Sequence, residues 1–361
     1  MDLTLGKRLR ELSGPVLVTG HTGFKGTWLT LLLERLGVPV IGLSLPAEPL
    51  SLYERMQRKG AIPEDFFDIR DFEAVQGFMG TFKPAAIIHM AAQPLVLESY
   101  RIPRETFETN VMGTVNILDA AFATKFVEGI VVVTTDKVYR NDNSGAKFVE
   151  SDALAGKDPY SASKVGTESA VVAWQQISKV SGGPKVVAAR SGNVIGGGDW
   201  AEDRIIPDLI RGFSTNSKVI VRNPKSTRPW QHVLDPLLGY VMVLEAVLAG
   251  EQIVSMNFGP DSKSLSVSEV VNISRMGWPH PTSIEFATGI QEEGLEAIAL
   301  QLDSRKARTT LNWSCAWDQS ESVSATIKWW DKVLNESVDP RTACEADIDL
   351  LLENAHSLGI S

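Results

Sequence analysis

Through its first 190 residues the chain alternates short, β-branched apolar runs with longer stretches of helical periodicity. The runs are Pro15–Thr19, Pro39–Leu43, Ala85–Met90, Ile130–Thr134 and Val186–Ala189. Between them the pattern predicts helices at about Phe24–Leu36, Thr106–Ala123 and Pro159–Lys179. This is the rhythm of a parallel sheet with crossover helices. Gly37 suits a left-handed stop for the first helix, and Asp158-Pro159 offers an N-cap followed by proline at the first helical position. After Gly192 the rhythm gives way to Gly/Pro/Asp-rich loops and short elements. The expectation is an α/β protein: a doubly wound parallel sheet mainly from residues 1–190, and a smaller C-terminal α/β lobe mainly from 191–361, interleaved with late elements of the first. The tail from Thr342 to Leu358 reads as an acidic amphipathic helix that packs on a lobe or a neighbouring subunit. There is no internal repeat and no low-complexity tract.

Composition narrows the field. A chain of 361 residues, with 43% hydrophobic and 22% charged residues, can bury a sizeable core. Lys plus Arg number 35 against 44 Asp plus Glu, a formal charge of −9. That balance argues against a nucleic-acid binder while leaving room for a local basic pocket. Two cysteines, Cys315 and Cys344, imply a reducing compartment, and five scattered histidines with no His-x-x-x-His pair give no metal site. Met1–Gly14 is charged and lacks a signal-peptide core. The most apolar stretch, Leu237–Ala249, contains Glu245 and falls short of the roughly 18 residues that a spanning helix needs. The reading is a soluble, cytoplasmic protein with no membrane partner.

The first strand runs into Gly20-His21-Thr22-Gly23-Phe24-Lys25-Gly26 and then into a helix. Glycines let the backbone turn sharply and approach a pyrophosphate, and a helix N-terminus offers free N–H groups and partial positive charge. The placement between strand and helix predicts a dinucleotide cradle. About 20 residues on, where such sites carry an acid for the ribose 2′-hydroxyl, stands Ser44. Lys25 could receive a 2′-phosphate, so the local residues leave NAD and NADP both open.

Tyr160 and Lys164 form Tyr-x-x-x-Lys at a helix start, a spacing that puts both on one face. There the ammonium can lower the phenol pKa, so that Tyr160 accepts a proton from a sugar hydroxyl as hydride leaves. Upstream, Thr134-Thr135-Asp136-Lys137 closes a strand at the sheet edge where such folds deliver active residues, and Asn110 stands in Asn-Val-Met-Gly-Thr.

Together these residues resemble the extended short-chain dehydrogenase/reductase superfamily over nearly the whole chain. Within it, Gly20–Gly26, His89-Met90-Ala91-Ala92-Gln93-Pro94-Leu95-Val96, Thr135-Asp136-Lys137 and Arg190–Trp200 resemble the CDP-glucose 4,6-dehydratases. So do Asp203-Arg204-Ile205-Ile206-Pro207, Arg228-Pro229-Trp230-Gln231-His232-Val233 and Asn257-Phe258-Gly259-Pro260. The resemblance implies a Rossmann-type NAD-binding lobe, a sugar-nucleotide lobe, and a lyase in which NAD is recycled: C4 of the hexose is oxidised, water leaves across C5 and C6, and hydride returns to C6. It implies that Tyr160 takes the C4 hydroxyl proton, Lys164 holds the nicotinamide ribose and tunes Tyr160, and Thr135 hydrogen-bonds the C4 oxygen. Asp136 would protonate the departing C6 hydroxyl and Lys137 would remove the C5 proton, a lysine where many thymidine-diphosphate-sugar dehydratases carry glutamate.

By the same resemblance Gly20, Thr22, Gly23, Phe24, Lys25, Gly26 and Ser44 contact the cofactor, Asp68 and Ile69 flank the adenine, and Ala91, Ala92 and Gln93 line the cofactor. Asn110 supports the active-site helix. Arg204 and Arg228 are the cations for the substrate diphosphate, and Asn193 and Asn257 add hydrogen bonds. His232 reads as packed or pocket-lining rather than catalytic. The implied assembly is a homodimer or homotetramer paired through the helices Thr106–Ala123 and Pro159–Lys179, and the implied setting is deoxysugar biosynthesis of the kind that supplies lipopolysaccharide O-antigen. Glu296–Asp303 departs from relatives by lacking a His or Tyr after Glu-Ala, and Val138 stands where cysteine is frequent. The competing readings are another NDP-sugar 4,6-dehydratase or a 4-epimerase of the same superfamily, the latter needing no acid–base pair, and a catalytically silent dinucleotide sensor, which needs no intact Thr135, Tyr160 and Lys164.

Overall fold

The computed structural model describes residues 5–142, 144–287, 300–357 and 359. Seven strands, β1 (Val16–Thr19), β2 (Val40–Ser44), β3 (Glu64–Phe66), β4 (Ala86–His89), β5 (Gly129–Val133), β6 (Lys185–Ser191) and β7 (Ser255–Phe258), form one sheet. Their spatial order is β7-β6-β5-β4-β1-β2-β3, and every neighbouring pair is parallel. The register pairs Val16 with both Val40 and Ala86, and Val133 with Ala189.

Alternate residues of each strand feed two cores, as the two-residue period of a strand requires. Val16, Val18, Ala86, Ile88, Val131, Val133, Val187 and Ala189 belong to one core, with the helices α1 (Phe24–Arg35) and α5 (Leu234–Leu248). Leu17, Ile41, Leu43, Ile87, Ile130, Val132 and Ala188 belong to the other, with α2 (Phe72–Phe82), α3 (Gly113–Phe122) and α4 (Pro159–Ser181). Two C-terminal helices, α6 (Gln319–Leu334) and α7 (Pro340–Ser357), join the first core and seat Trp329, Trp330, Cys344 and Leu351 there. The C-terminal region otherwise consists of short helices and two-stranded ribbons, such as Lys218–Val221 beside Ser283–Phe286.

Local chemistry sets the element ends. Gly37 at φ +70° follows α1, and Asp158 closes a capping box with Ser161 ahead of Pro159 at the start of α4. The five expected strands form with their ends moved by a residue or so. Two further strands, β3 and β7, carry no such apolar run: β3 is a partly exposed edge of Glu64-Asp65-Phe66, and β7 hides Ser255 and Asn257 within a buried strand. The helix expected over Thr106–Ala123 is divided. Pro103–Phe107 is α-helical, Glu108–Met112 is a π turn, and α3 follows. The wider turn frees the Asn110 carbonyl, which accepts from the hydroxyls of Thr114 and Thr167, each at 2.7 Å. The expected tail helix over Thr342–Leu358 lies within α7 up to Ser357; Leu358 is outside the described residues. α7 packs on α1, α5 and α6. Among the described residues no helix is long and apolar enough to cross a membrane, and no cluster of three metal-ligating side chains occurs.

Candidate active site

The carboxyl ends of β1, β4, β5 and β6 open on one edge of the sheet, the edge where doubly wound folds bind ligands. At the end of β1, Gly20 takes φ +75°, and a Cβ there would lie 2.9 Å from the Ala91 nitrogen. A Cβ on Gly26 would lie 2.1 Å from the Gly20 carbonyl oxygen, so α1 presses directly on the loop. The N-cap of α1 is Gly23, with no side chain bonding the first N–H groups. A close, uncapped helix start of this kind fits a dinucleotide pyrophosphate. Thr22 and Ser44 meet hydroxyl to hydroxyl at 2.7 Å where the cradle touches the end of β2. Beneath them buried His21 bonds Glu64 at 2.7 Å, and Glu64 also accepts from Tyr53 at 2.8 Å.

Lys25 stands elsewhere than a 2′-phosphate receptor would. Its ammonium donates to the Tyr240 hydroxyl at 2.7 Å and to Ser191 at 3.3 Å. Burial, then Lys164 and Arg204, lower it to about 7, so it belongs to the catalytic end of the cleft. Ala91–Gln93 follow β4, half-buried against Gly20. The Asn110 amide accepts from the Gln93 nitrogen at 2.8 Å and donates to Ser163 at 2.8 Å, tying the loop after β4 to α4. Asp68 is engaged by Arg70 at 2.7 Å. Ile69 is buried, with its side chain against the backbone of Gly113, and its carbonyl accepts from the Asn116 amide at 2.9 Å.

At the end of β5 the chain makes one 3₁₀ turn, Asp136–Val138, capped by the Thr135 hydroxyl, which accepts from the Lys137 nitrogen at 3.3 Å. Tyr160 and Lys164 face this turn from the first two turns of α4. Thr135 is the hydrogen-bond partner of the Tyr160 hydroxyl, and the Lys164 ammonium donates to the Val133 carbonyl at 3.1 Å. Burial raises Tyr160 to about 12, and burial lowers Lys164 to about 8 against the opposing pull of Glu168. Asp136 is buried and raised by that burial, while Lys137, Thr135 and Arg228 pull the other way. A raised carboxyl beside a Tyr–Lys pair is an acid held next to a proton acceptor.

Arg204 pairs with Asp199 at 3.0 Å, and its field reaches Tyr160. Arg228, on the short strand Thr227–Arg228, reaches Asp136 with its charge. Asn193 is half-buried beside Gly192, where a Cβ would sit 2.9 Å from an Asp136 carboxylate oxygen. The five catalytic candidates Thr135, Asp136, Lys137, Tyr160 and Lys164, together with Lys25, Asn193, Arg204 and Arg228, therefore share one region.

Asn257 does not join them, contrary to its expected role toward substrate. It is fully buried on β7, its carbonyl accepts from the Tyr139 hydroxyl at 2.7 Å, and its amide nitrogen donates to the Phe148 carbonyl at 3.0 Å. His232 is packed between Trp28 and Trp317, and burial lowers it to about 3. Glu296–Ala299 lie outside the described residues. Sequence reasoning missed Glu168, Arg190, Asp199 and Tyr240. Of these only Glu168, one helical turn beyond Lys164, has a spacing that could have pointed to it.

A glycine cradle on a seven-stranded parallel sheet, with Tyr160, Lys164 and Thr135 at its carboxyl edge, defines the class of dinucleotide-binding enzymes that use a Tyr–Lys pair. The chain belongs to the NAD dependent epimerase/dehydratase family, whose profile matches residues 16–259. It is 40% identical over 323 residues to the CDP-glucose 4,6-dehydratase of Salmonella typhimurium, covering 87% of this chain and 89% of that one. It is 28% identical to a UDP-glucose 4-epimerase of Rhizobium leguminosarum bv. trifolii, over 88% of this chain and 97% of that one. Among solved structures, a dTDP-glucose 4,6-dehydratase from Streptomyces venezuelae with NAD bound superposes with a TM-score of 0.76 at 22% identity, covering 91% of this chain and 99% of that one.

Proposed function

We propose that this chain is a hydro-lyase that carries out the 4,6-dehydration of a nucleotide-diphosphate hexose, converting CDP-D-glucose to CDP-4-dehydro-6-deoxy-D-glucose. The observation that carries the reading is the turn after β5, where buried Asp136 and neighbouring Lys137 stand beside Thr135 and Tyr160. The likeness to the Salmonella enzyme supports cytidine as the base.

When bound, NAD would supply a hydride acceptor for C4 and, once reduced, a hydride donor for C6, so that the reaction has no net redox change. Gly20, Thr22, Gly23, Phe24, Gly26 and Ser44 would hold it, with Ala91–Gln93 along its side. Tyr160, ionised as the phenolate, takes the proton of the C4 hydroxyl; burial opposes that ionisation, and the Thr135 hydrogen bond and the charge of Arg204 favour it. Thr135 orients the C4 oxygen. A C4 ketone acidifies the C5 proton, which Lys137 removes. Asp136, whose carboxyl burial raises above its ordinary range, gives its proton to the C6 oxygen as the C6–O bond breaks and the C5–C6 double bond forms. One water leaves. Arg204 and Arg228 offer positive charge to the diphosphate, in a setting of deoxysugar biosynthesis that includes lipopolysaccharide O-antigen supply.

Mass spectrometry of the product, with CDP-glucose, dTDP-glucose, UDP-glucose and GDP-mannose offered in turn, tests the proposal. Loss of one water from CDP-glucose alone, without stoichiometric reduced cofactor, is the expected result. Loss of water from another donor would overturn the cytidine assignment, and a product of unchanged mass with an inverted C4 centre would make the chain an epimerase.

The charge states give a pH dependence. Lys164 acts as an ammonium, and burial sets its proton loss at about 8. kcat/KM, which reports the free enzyme, is expected to fall above about pH 8. A profile level well beyond that point would remove Lys164 from the proton relay.

The same reading carries a homo-oligomer. Tyr100, Phe107 and Met112 beside the π turn, and Val172 and Val180 on α4, are large apolar side chains exposed on neighbouring helices. Paired copies would cover them. Light scattering at micromolar concentration is expected to give a dimer or tetramer; a monomer would overturn this.

A further inference from the structure

We propose that Arg190 and Glu168 are positioning residues that hold the catalytic turn Thr135–Val138 at both of its ends. The inference rests on the dehydratase reading for what the turn does, and on the geometry for how the turn is held. The turn is poorly able to fix itself. It is a single 3₁₀ turn whose closing bonds, Val138 N–H to the Thr135 carbonyl and Tyr139 N–H to the Asp136 carbonyl, are long at 3.4 and 3.3 Å. Three reacting side chains nonetheless have to keep their places on it.

One buried ion pair reaches the residues on either side. Glu168 lies on α4, and its Oε1 accepts from the Thr134 hydroxyl at 2.6 Å and from Arg190 Nε at 2.8 Å. Its Oε2 accepts from Arg190 Nη2 at 2.8 Å. Arg190 Nη1 then donates to the Tyr139 hydroxyl at 2.8 Å and to the Glu150 carbonyl at 3.1 Å. The Tyr139 hydroxyl passes its own proton to Asn257 at 2.7 Å, and its ring stacks on Phe148 at 5.0 Å. Thr134 is the residue before Thr135, and Tyr139 is the residue after Val138. A single guanidinium therefore spans the turn from Thr134, through Glu168, to Tyr139. Both charged side chains are at most 5% exposed. Burying them is costly, and it is tolerated where the charges are paired and hydrogen-bonded, as here, with a partner for each guanidinium nitrogen. Asn257, which does not reach the cleft, finds its role here as the outer anchor of Tyr139.

The two ends make separable predictions. Tyr139→Phe keeps the stacked ring and removes the hydroxyl, releasing the end next to Asp136 and Lys137, the elimination side. Thr134→Val is isosteric and releases the end next to Thr135, the oxidation side. Both variants keep all charges, so they are expected to fold. Amide hydrogen exchange over residues 134–139 is expected to quicken in each, a readout independent of the reaction. kcat is expected to fall about tenfold, equivalent to about 1.4 kcal/mol in the barrier, with KM changed less than about twofold. With C5-deuterated substrate the isotope effect on kcat is expected to grow in Tyr139→Phe; with C4-deuterated substrate it is expected to grow in Thr134→Val. Unchanged exchange and kcat in both variants, or a fall in kcat with wild-type isotope effects, would overturn the proposal. If the wild-type enzyme removes water from none of the sugar nucleotides, the dehydratase reading fails instead, and the exchange measurement alone decides whether the turn is held in this way.

Discussion

Tyr160→Phe is expected to lower kcat by about a thousandfold, within the range for loss of a positioned acid–base group, with little change in KM. The hydroxyl is the one atom that the substitution removes, and the ring stays buried at the start of α4. Its partner in the structure is the Thr135 hydroxyl. Without the phenol there is nothing on this helix face to take the C4 proton, because Lys164 is turned to the Val133 carbonyl. Proton transfer is needed before any later step, so dehydration and any C4 exchange should fall together. Steady-state kinetics with CDP-glucose, alongside a thermal shift on adding NAD to show that the cradle still binds, checks this. A loss smaller than about tenfold would mean that another group carries the proton.

Lys137→Ala should separate the two halves of the reaction. The side chain is half-buried on the turn, so its removal leaves no large cavity. C4 oxidation, which depends on Tyr160, Lys164 and Thr135, should continue at a comparable rate. Loss of deuterium from C5-deuterated substrate should fall by a factor of about a hundred or more, as expected for loss of a general base. Undiminished loss of deuterium would take Lys137 out of the mechanism and leave water or another side chain as the base. Asp136→Asn belongs beside it as a comparison, because it removes the acid but keeps the shape that packs against Gly192.

What could be read from the sequence was local. The strand runs, the left-handed stop at Gly37, the Asp158 cap, the glycine cradle and the Tyr160–Lys164 spacing each involve residues within a turn or two of one another, where backbone sterics and helical period decide the outcome. Destinations across the sheet could not be read in this way. Lys25 lies in the cradle motif, yet its long side chain crosses to Tyr240, some 215 positions along the chain. Asn257 sits in a string that resembles a substrate-binding segment, but strand pairing with β6 places it opposite Arg190, where internal donors and acceptors consume its amide. β3 escaped notice because Glu64-Asp65-Phe66 is a half-exposed edge with no apolar run, and β7 because its buried serine and asparagine read as polar. The π turn at Glu108–Met112 keeps the hydrophobic spacing of an ordinary helix while changing which carbonyls are free.

The seventh strand has a bearing on how the molecule is made. β7 lies at residues 255–258 but pairs with β6, and α5, which covers β5 and β6, lies at 234–248. The backbone at Gly6 and Arg8 is likewise fastened to Glu245. During synthesis, the first 190 residues would emerge from the ribosome with the outer hydrogen-bonding edge of β6 unpaired and the face of β5 and β6 that α5 covers still bare. An open edge of that kind invites pairing with other chains. Expression of a fragment ending near residue 190 should therefore yield aggregates, whereas one extended past Gly259 carries both the closing strand and the covering helix. That edge stays open until about seven-tenths of the chain has been translated, a consequence of chain order and not of the chemistry at its cleft.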